Sequence, residues 1–313
     1  MSFSTDIKQE IANIELSDKQ AKAMLSSLIQ LTSSLTISNG SLGLIVRSES
    51  PTTSKRILSL LKRVYKVDTK LQISKKLNLK KNYVYTIEIH EKTKDILIDL
   101  GLYDEEKGLL EHPPRELIDN DDCLKAYLAG VFLAYGTCNS PSTSNYHLEL
   151  SLPEESYGSF IIKQIARIEI DAKMVERKKR FIVYMKKADY VSDFLAAIGA
   201  HSARLRFEDE RIARDMKNSV SRIDNCEIAN EVKTIRAANK QIEAIQIIIS
   251  EGKYDSTEEK IRNVMDLRMK YQDYSLLELC DAYLSNYGEV VSKSGMKHRL
   301  NKIEAIAKDL QND

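Results

Sequence analysis

The sequence predicts an α+β fold, a duplicated αββαββα unit followed by an all-helical segment, and three observations carry that prediction. The chain repeats itself at a fixed offset. Asp68, Lys70, Lys75 and Lys76 return 103 positions later as Asp171, Lys173, Lys178 and Lys179, and Leu25 lands on Leu128. A shift sustained over such a stretch marks a duplicated unit. Up to His201, helical periodicity gives way repeatedly to strand alternation. Beyond Arg204, glycine and alternation nearly vanish and helical spacing takes over.

Each element follows from local pattern. Helix periodicity covers Ile7 to Ser34, with Leu25, Leu28, Ile29 and Leu31 on a broad apolar face. SLTISNGSLGLIVRS then alternates, and Asn39-Gly40 is a strong hairpin turn signal. Pro51 stands where a helix can begin, and ILSLLKRVYKV continues with helical spacing. KLQISKK and YVYTIEI read as strands joined by a lysine-rich turn, and the next helix closes at Gly101. In the second copy Leu124 to Tyr135 is the helix and YHLELSL a strand. SYGSFIIKQIARI is a helix, MVERKK and RFIVYMK a hairpin, and VSDFLAAIG a helix ending at Gly199. The two copies, about 7–104 and 121–202, are expected to pack about a pseudo-twofold axis and merge their strands into one sheet surface. Residues 103–122, with Pro113-Pro114 and an acidic cluster, read as a solvated linker.

The expected domain division is 1–202 for the duplicated part and 203–313 for a helical connector and a C-terminal domain. ARLRFEDERIARDMKNSVSRIDN and EIANEVKTIRAANKQIEAIQIII read as two helical runs, the second with Ile235, Ile242, Ile245 and Ile249 on an apolar face. Two capping boxes follow, Ser256 with Glu259 and Ser275 with Glu278. The last helix is expected to bury Met296, Leu300, Ile303 and Leu310. Its other face carries Lys293, Lys297, His298, Arg299, Asn301 and Lys302, with Ser292 or Ser294 as cap. No acid occurs between Glu289 and Glu304. Three short helices with tight turns fit a helix-turn-helix, and an acid-free face suits phosphate and base-edge contact.

Composition narrows the function classes. Lys plus Arg (47) and Asp plus Glu (46) nearly cancel, so nucleic-acid affinity must come from local clusters. The four cysteines form no CxxC pair and the five histidines no ligand spacing, which predicts no metal site, no disulfide framework and no cofactor. The start, MSFSTDIKQEI, has no apolar h-region, and no apolar run approaches a membrane span of ~20 residues. A soluble cytoplasmic protein with no membrane and no small-molecule substrate is expected.

LAGVFLAYG resembles the LAGLIDADG motif of homing endonucleases at Leu128, Ala129, Gly130, Ala134 and Gly136. Together with YHLELS, ERKK, DFLAAIGAH, FEDERIARDMKNSVSRIDNCEIAN and SKSGMKHRLNKI, nearly the whole chain resembles the WhiA-type bacterial regulators. The resemblance implies a degenerate LAGLIDADG saddle joined to a helix-turn-helix domain. It also implies double-stranded DNA as partner, nucleoid association, and a role in sporulation-gene transcription or in cell division and chromosome segregation. LAGLIDADG enzymes hold divalent metal on an acid just before the last motif position. Here those two places are Thr32 and Tyr135, which supply no carboxylate, so no nuclease and no enzyme is expected. The basic hairpins remain: Lys75, Lys76, Lys80 and Lys81 answer Arg177, Lys178, Lys179 and Arg180. In the resembled fold these strands line a DNA-straddling saddle. DNA contact there, a protein partner there, and simple solubilisation of hairpin tips are the three readings. For the last helix, Ser292, Lys293, Ser294, Lys297, His298, Arg299, Asn301 and Lys302 are the candidate DNA contacts, with Arg299 foremost for a base.

Overall fold

A computed structural model describes residues 2–38, 41–75, 83–143 and 145–312, which form two compact units, Met1–Arg214 and Asp215–Asp313. The Asn39-Gly40 turn and Lys76, Lys80 and Lys81 lie outside the described residues.

The first unit opens with α1 (Phe3–Ala12) and α2 (Asp18–Thr32) rather than one helix from Ile7 to Ser34. The break is chemical. Ser17 accepts from the Gln20 backbone while the Gln20 side chain accepts from the Ser17 backbone, a capping box that starts a new helix. Then follow β1 (Ser33–Ser38), β2 (Ser41–Ser48), α3 (Pro51–Tyr65), β3 (Lys70–Lys75), β4 (Tyr83–Ile89) and α4 (Thr93–Asp99). Ser50 caps α3 and Pro51 fills its first turn, where the missing N–H costs nothing. The second copy repeats the order as α5 (Asp121–Tyr135), β7 (Gly136–Cys138), β8 (Leu148–Leu152), α6 (Glu155–Ala166), β9 (Lys173–Arg177), β10 (Arg180–Met185) and α7 (Ala188–Ala197). Gly101 and Gly199 turn the chain after α4 and α7 with φ of 65° and 82°, a backbone that favours glycine.

The strands form two separate four-stranded antiparallel sheets, β1-β2-β4-β3 and β7-β8-β10-β9, and not one merged surface. The copies join through helices instead. α2 and α5 pack along each other, and both contribute to one apolar core. Ser27 Oγ donates to Tyr127 O at 2.9 Å and to Met24 O at 3.0 Å. A Cβ added to Gly130 would stand 2.6 Å from Met24 O and would collide with Ser27 Oγ. Ser27 and Gly130 are equivalent positions at the 103-residue offset, so each copy presents the same small-residue spot to the other. Small residues permit that close approach.

The connection between copies is ordered rather than loosely solvated. β5 (Tyr103–Asp104) and β6 (Gly108–Leu109) make a short hairpin, and Arg115–Ile118 a 3-10 turn that buries Ile118. Arg167 ties it down, donating to Ile118 O and Asp119 O at 2.9 and 2.7 Å.

One helix, α8 (His201–Ser250), replaces the two helical runs read from the sequence. Its buried side near the C-terminus is Ala238, Gln241, Ala244, Ile245 and Ile248, while Ile235 and Ile249 point outward. α9 (Glu259–Lys270), α10 (Leu276–Tyr287) and α11 (Lys293–Asn312) complete the second unit around its own core. The Ser275–Glu278 capping box forms. The other one does not: α9 begins two residues later, with Glu258 at the cap, and Ser256 Oγ donates to Lys253 O.

Gly130→Ala is expected to destabilise the first unit by about 1–3 kcal/mol, because the added methyl must push the helices apart. Urea unfolding of the full chain, followed by circular dichroism, checks this; an unchanged midpoint would show that the helices can slide.

Candidate nucleic-acid interface

The second unit is built around the turn from α9 to α10. Arg268 is almost fully buried, and its Nη1 donates to three carbonyls, Tyr274 O at 2.7 Å, Gln272 O at 3.2 Å and Tyr271 O at 3.3 Å. Burial pulls its pKa below the ordinary arginine value, yet arginine stays charged, so the turn carries a permanent cation at its centre. Nothing in the sequence around Arg268 signalled this role. Gly288 (φ 68°) ends α10, and Ser292 starts α11 by accepting from Gly295 N at 3.1 Å.

α11 then sorts its side chains by angle. Met296, Leu300 and Ile303 are fully buried, and the next apolar position to close the core is Ala307 rather than Leu310, which is only half-buried. Ser292, Lys293, Ser294, Lys297, His298, Asn301 and Lys302 are exposed. Arg299 is not on that outer face. Its side chain is 15% exposed, its guanidinium sits 4.9 Å from the Tyr283 ring centre, and Nη2 donates to Glu289 Oε1 at 3.3 Å. The reason is periodicity: at 3.6 residues per turn Arg299 lies only ~60° from Met296, whereas Asn301 lies ~140° away. Its Nη1 is buried without a hydrogen-bond partner among the described residues. Lys302 bonds Glu258 at 2.9 Å, and that contact holds the Glu258 carboxyl below the usual carboxylate range. The outer face with no acid partner recorded is therefore Lys293, Ser294, Lys297, His298 and Asn301, with Ser292 at its head.

In the first unit, burial alternates along β8: Leu148, Leu150 and Leu152 face the core, so Glu149 and Ser151 face away from the helices. The register sets Thr137, Glu149, Tyr184 and Lys173 in one row across the second sheet. Glu149 meets His147 Nε2 at 3.1 Å. In the first sheet Glu88 stands opposite Lys70, with His90 Nε2 at 3.5 Å. Each outer face thus holds a carboxylate beside a histidine. The β9–β10 turn is Lys178-Lys179, both in left-handed backbone (φ 51° and 61°), with Arg177, Lys178 and Lys179 exposed. Lys75 ends β3, also exposed.

The two motif ends do not fit a divalent cation. Thr32 closes α2 and spends its hydroxyl on Leu28 O at 2.6 Å. Tyr135 closes α5, and Arg180 lies over its ring at 4.6 Å while donating to Ser151 Oγ at 2.8 Å and Ser151 O at 2.6 Å. A phenol, a committed hydroxyl and a fixed guanidinium offer no anionic oxygen, which hard cations require. The other acidic motif place holds Leu133, fully buried, and Gln30, which donates to Glu111 O at 2.6 Å and accepts from the Tyr127 hydroxyl at 3.1 Å.

Arg299→Ala is expected to lower stability by about 1–3 kcal/mol through loss of the Tyr283 stack and the Glu289 bond. Lys297→Ala should stay within about 0.5 kcal/mol. Thermal denaturation of both variants separates an inward arginine from an outward one; equal stability would place Arg299 outside.

Comparison with known families and structures agrees with this architecture. A family model described as the WhiA N-terminal LAGLIDADG-like domain matches residues 18–103, the WhiA LAGLIDADG-like domain matches 124–217, and the WhiA C-terminal HTH domain matches 220–307. The chain is 42% identical over 313 residues to a probable cell division protein WhiA of Staphylococcus epidermidis, covering 100% of this chain and 98% of that one. A Staphylococcus aureus relative of the same description is 40% identical over the same span and coverage. Among solved structures, full-length DUF199/WhiA from Thermatoga maritima matches with a TM-score of 0.60 at 22% identity, covering 99% of both chains. With two LAGLIDADG-like copies and a helix-turn-helix unit in the family's order, the chain belongs to the WhiA family.

Proposed function

We propose that this chain is a DNA-binding regulatory protein acting in cell division and chromosome segregation, or in sporulation where relatives sporulate, whose endonuclease-like half no longer cuts. The observation that carries the reading is the outer face of α11. Lys293, Ser294, Lys297, His298 and Asn301 stand exposed on the first turns of one helix, with no acid between Glu289 and Glu304. Lysines there neutralise phosphate, and an asparagine can bond an adenine edge with both ends of its amide. Asn301 replaces Arg299 as the candidate for base contact, because Arg299 holds α11 to Tyr283 and Glu289. The loss of cleavage is supported by Thr32 and Tyr135, with Arg180 standing over the latter. The printed description of the Staphylococcus relatives as cell division proteins supports the cellular role.

A second reading rests on the outer sheet faces. Glu88 and Glu149 would repel phosphate at the middle of a saddle, which favours a protein partner docked there and weaker DNA binding overall. The turn lysines speak for the other side. Two non-glycine residues in left-handed backbone cost of order 1–3 kcal/mol each, and such strain is retained at functional places.

Three outcomes follow. The purified chain with Mg²⁺ or Mn²⁺ should produce no specific double-strand cleavage; a cut abolished by chelator would overturn the loss of catalysis. In fluorescence anisotropy, Lys297→Ala should weaken all duplexes alike and reduce the salt slope by about 1, while Asn301→Ala should cost about 1–3 kcal/mol and relax preference at one base. Unchanged affinity in both would move DNA recognition away from α11. Replacing Lys178-Lys179 by Asn-Gly should raise stability by relieving the turn. If the sheet faces touch DNA it should also weaken binding; an unchanged affinity favours the protein partner.

A further inference from the structure

α8 carries a second pattern that neither unit's core uses. Isoleucine recurs every seven residues at Ile228, Ile235, Ile242 and Ile249, and the alternate seam positions are Asn225, Val232, Asn239 and Gln246. Apolar residues fill five of these eight positions, Ile228, Val232, Ile235, Ile242 and Ile249, and polar amides the other three, a heptad spacing that suits a two-helix seam with polar residues setting its register. The seam is not inside the molecule. Ile228 is 58% exposed, Val232 40%, Ile235 41% and Ile249 48%, and Ile242 is half-buried. The unit's own core takes a different stripe of the same helix, Gln241, Ala244, Ile245 and Ile248. From Asp215 to Lys233 every residue is exposed, so no packing supports this stretch of helix. An isolated helix of that length is marginal in water, because most helical stability comes from burying one face.

We propose that this seam pairs with the same seam of a second copy of the chain, in parallel and in register, as a two-stranded coiled coil over Asn225–Ile249. Self-pairing is argued from the polar positions. In parallel register Asn225 meets Asn225 and Asn239 meets Asn239, and such buried asparagine pairs specify two strands and a single register. The flanking positions agree: Glu231 of one copy falls beside Arg236 of the other, twice over by symmetry. An antiparallel pairing centred on the same seam would bury asparagine against isoleucine and set Arg236 against Arg236. Charge and polarity thus choose both the partner and its direction. Towards the C-terminal end the flanking Ala238 and Ile245 are turned into the unit's own core, so the copies meet most freely over Asn225–Ile242. The pairing stands on α8 alone and needs no DNA.

The test is sedimentation equilibrium of the full-length protein without DNA, over a concentration series, with circular dichroism as the folding control. The mass should rise from one chain to two, and Ile228→Lys with Ile235→Lys should hold it at one chain with the fold intact, since both side chains face solvent. Orientation is read by disulfide trapping in a Cys226→Ser background. Val232→Cys should cross-link copies under mild oxidation, while Asn230→Cys, on the far side of the helix, should not. In an antiparallel pair two Val232 positions would lie ten residues out of step, ~15 Å along the axis, beyond disulfide reach. A chain that sediments as a monomer throughout overturns the proposal. So does a dimer that survives the double lysine variant or fails to cross-link at Val232→Cys, since its interface lies elsewhere or runs the other way.

Discussion

Everything in the first unit depends on how closely α2 and α5 can approach. Each sheet hangs from the end of its own helix, β1 directly after Thr32 and β7 directly after Tyr135. Among the described residues no strand ladder links the sheets. The helix contact is therefore a central joint that sets one copy against the other, and a serine and a glycine at equivalent positions let it close. Ser27 contributes a buried hydroxyl satisfied by two carbonyls, and Gly130 contributes the absence of a side chain. Neither would be chosen for helix propensity. They are chosen for distance, which fixes where both sheets and both motif ends lie.

The second unit adds charge to its apolar core. Arg268 gathers the carbonyls of one turn, and Arg299 joins α11 to Tyr283 and to Glu289, which Lys260 also approaches at 3.5 Å. Lys240 reaches Glu304 at 2.8 Å and Lys302 reaches Glu258. Exposed pairs such as these contribute little each and are screened by salt, whereas an arginine held against an aromatic ring is not easily exchanged for lysine. In this unit Arg268 and Arg299 are turned inward, which leaves Lys293 and Lys297 on the outer face of α11 exposed and uncommitted.

Much of this was legible in the sequence, for identifiable reasons. The 103-residue offset, the two αββαββα orders, the positive-φ glycines at 101 and 199 and the Ser275–Glu278 box are local or periodic signals, and each appears where its pattern lies. What escaped depended on geometry that periodicity does not encode. The continuous apolar rhythm from Ile7 to Ser34 hid a helix break, although Ser17 and Gln20 were there to mark it. β7 is three residues long, too short to alternate. Arg299 reads as outward on a list of charges and inward on a wheel, by an angle of ~60°. By spacing Ile235, Ile242 and Ile249 share one face with Ile245, yet Ile245 alone of these is fully buried, because two stripes share the helix. The candidate DNA contacts were legible as a charge pattern, and only packing tells which of those charges are already spoken for.

Arg180 has a consequence for the history of the fold. Its guanidinium lies on the Tyr135 ring and is braced by both the side chain and the backbone of Ser151. Restoring an acid at position 135 would not restore a cation site. The new carboxylate would find an arginine already beside it and would be neutralised by an internal ion pair, with nothing left to hold a metal. A cation site here would take at least a second substitution, at Arg180, and neither change makes one without the other. With a cation built into the protein beside position 135, the two sites are coupled: a change at either one alone leaves the charge of the pocket unable to hold a metal.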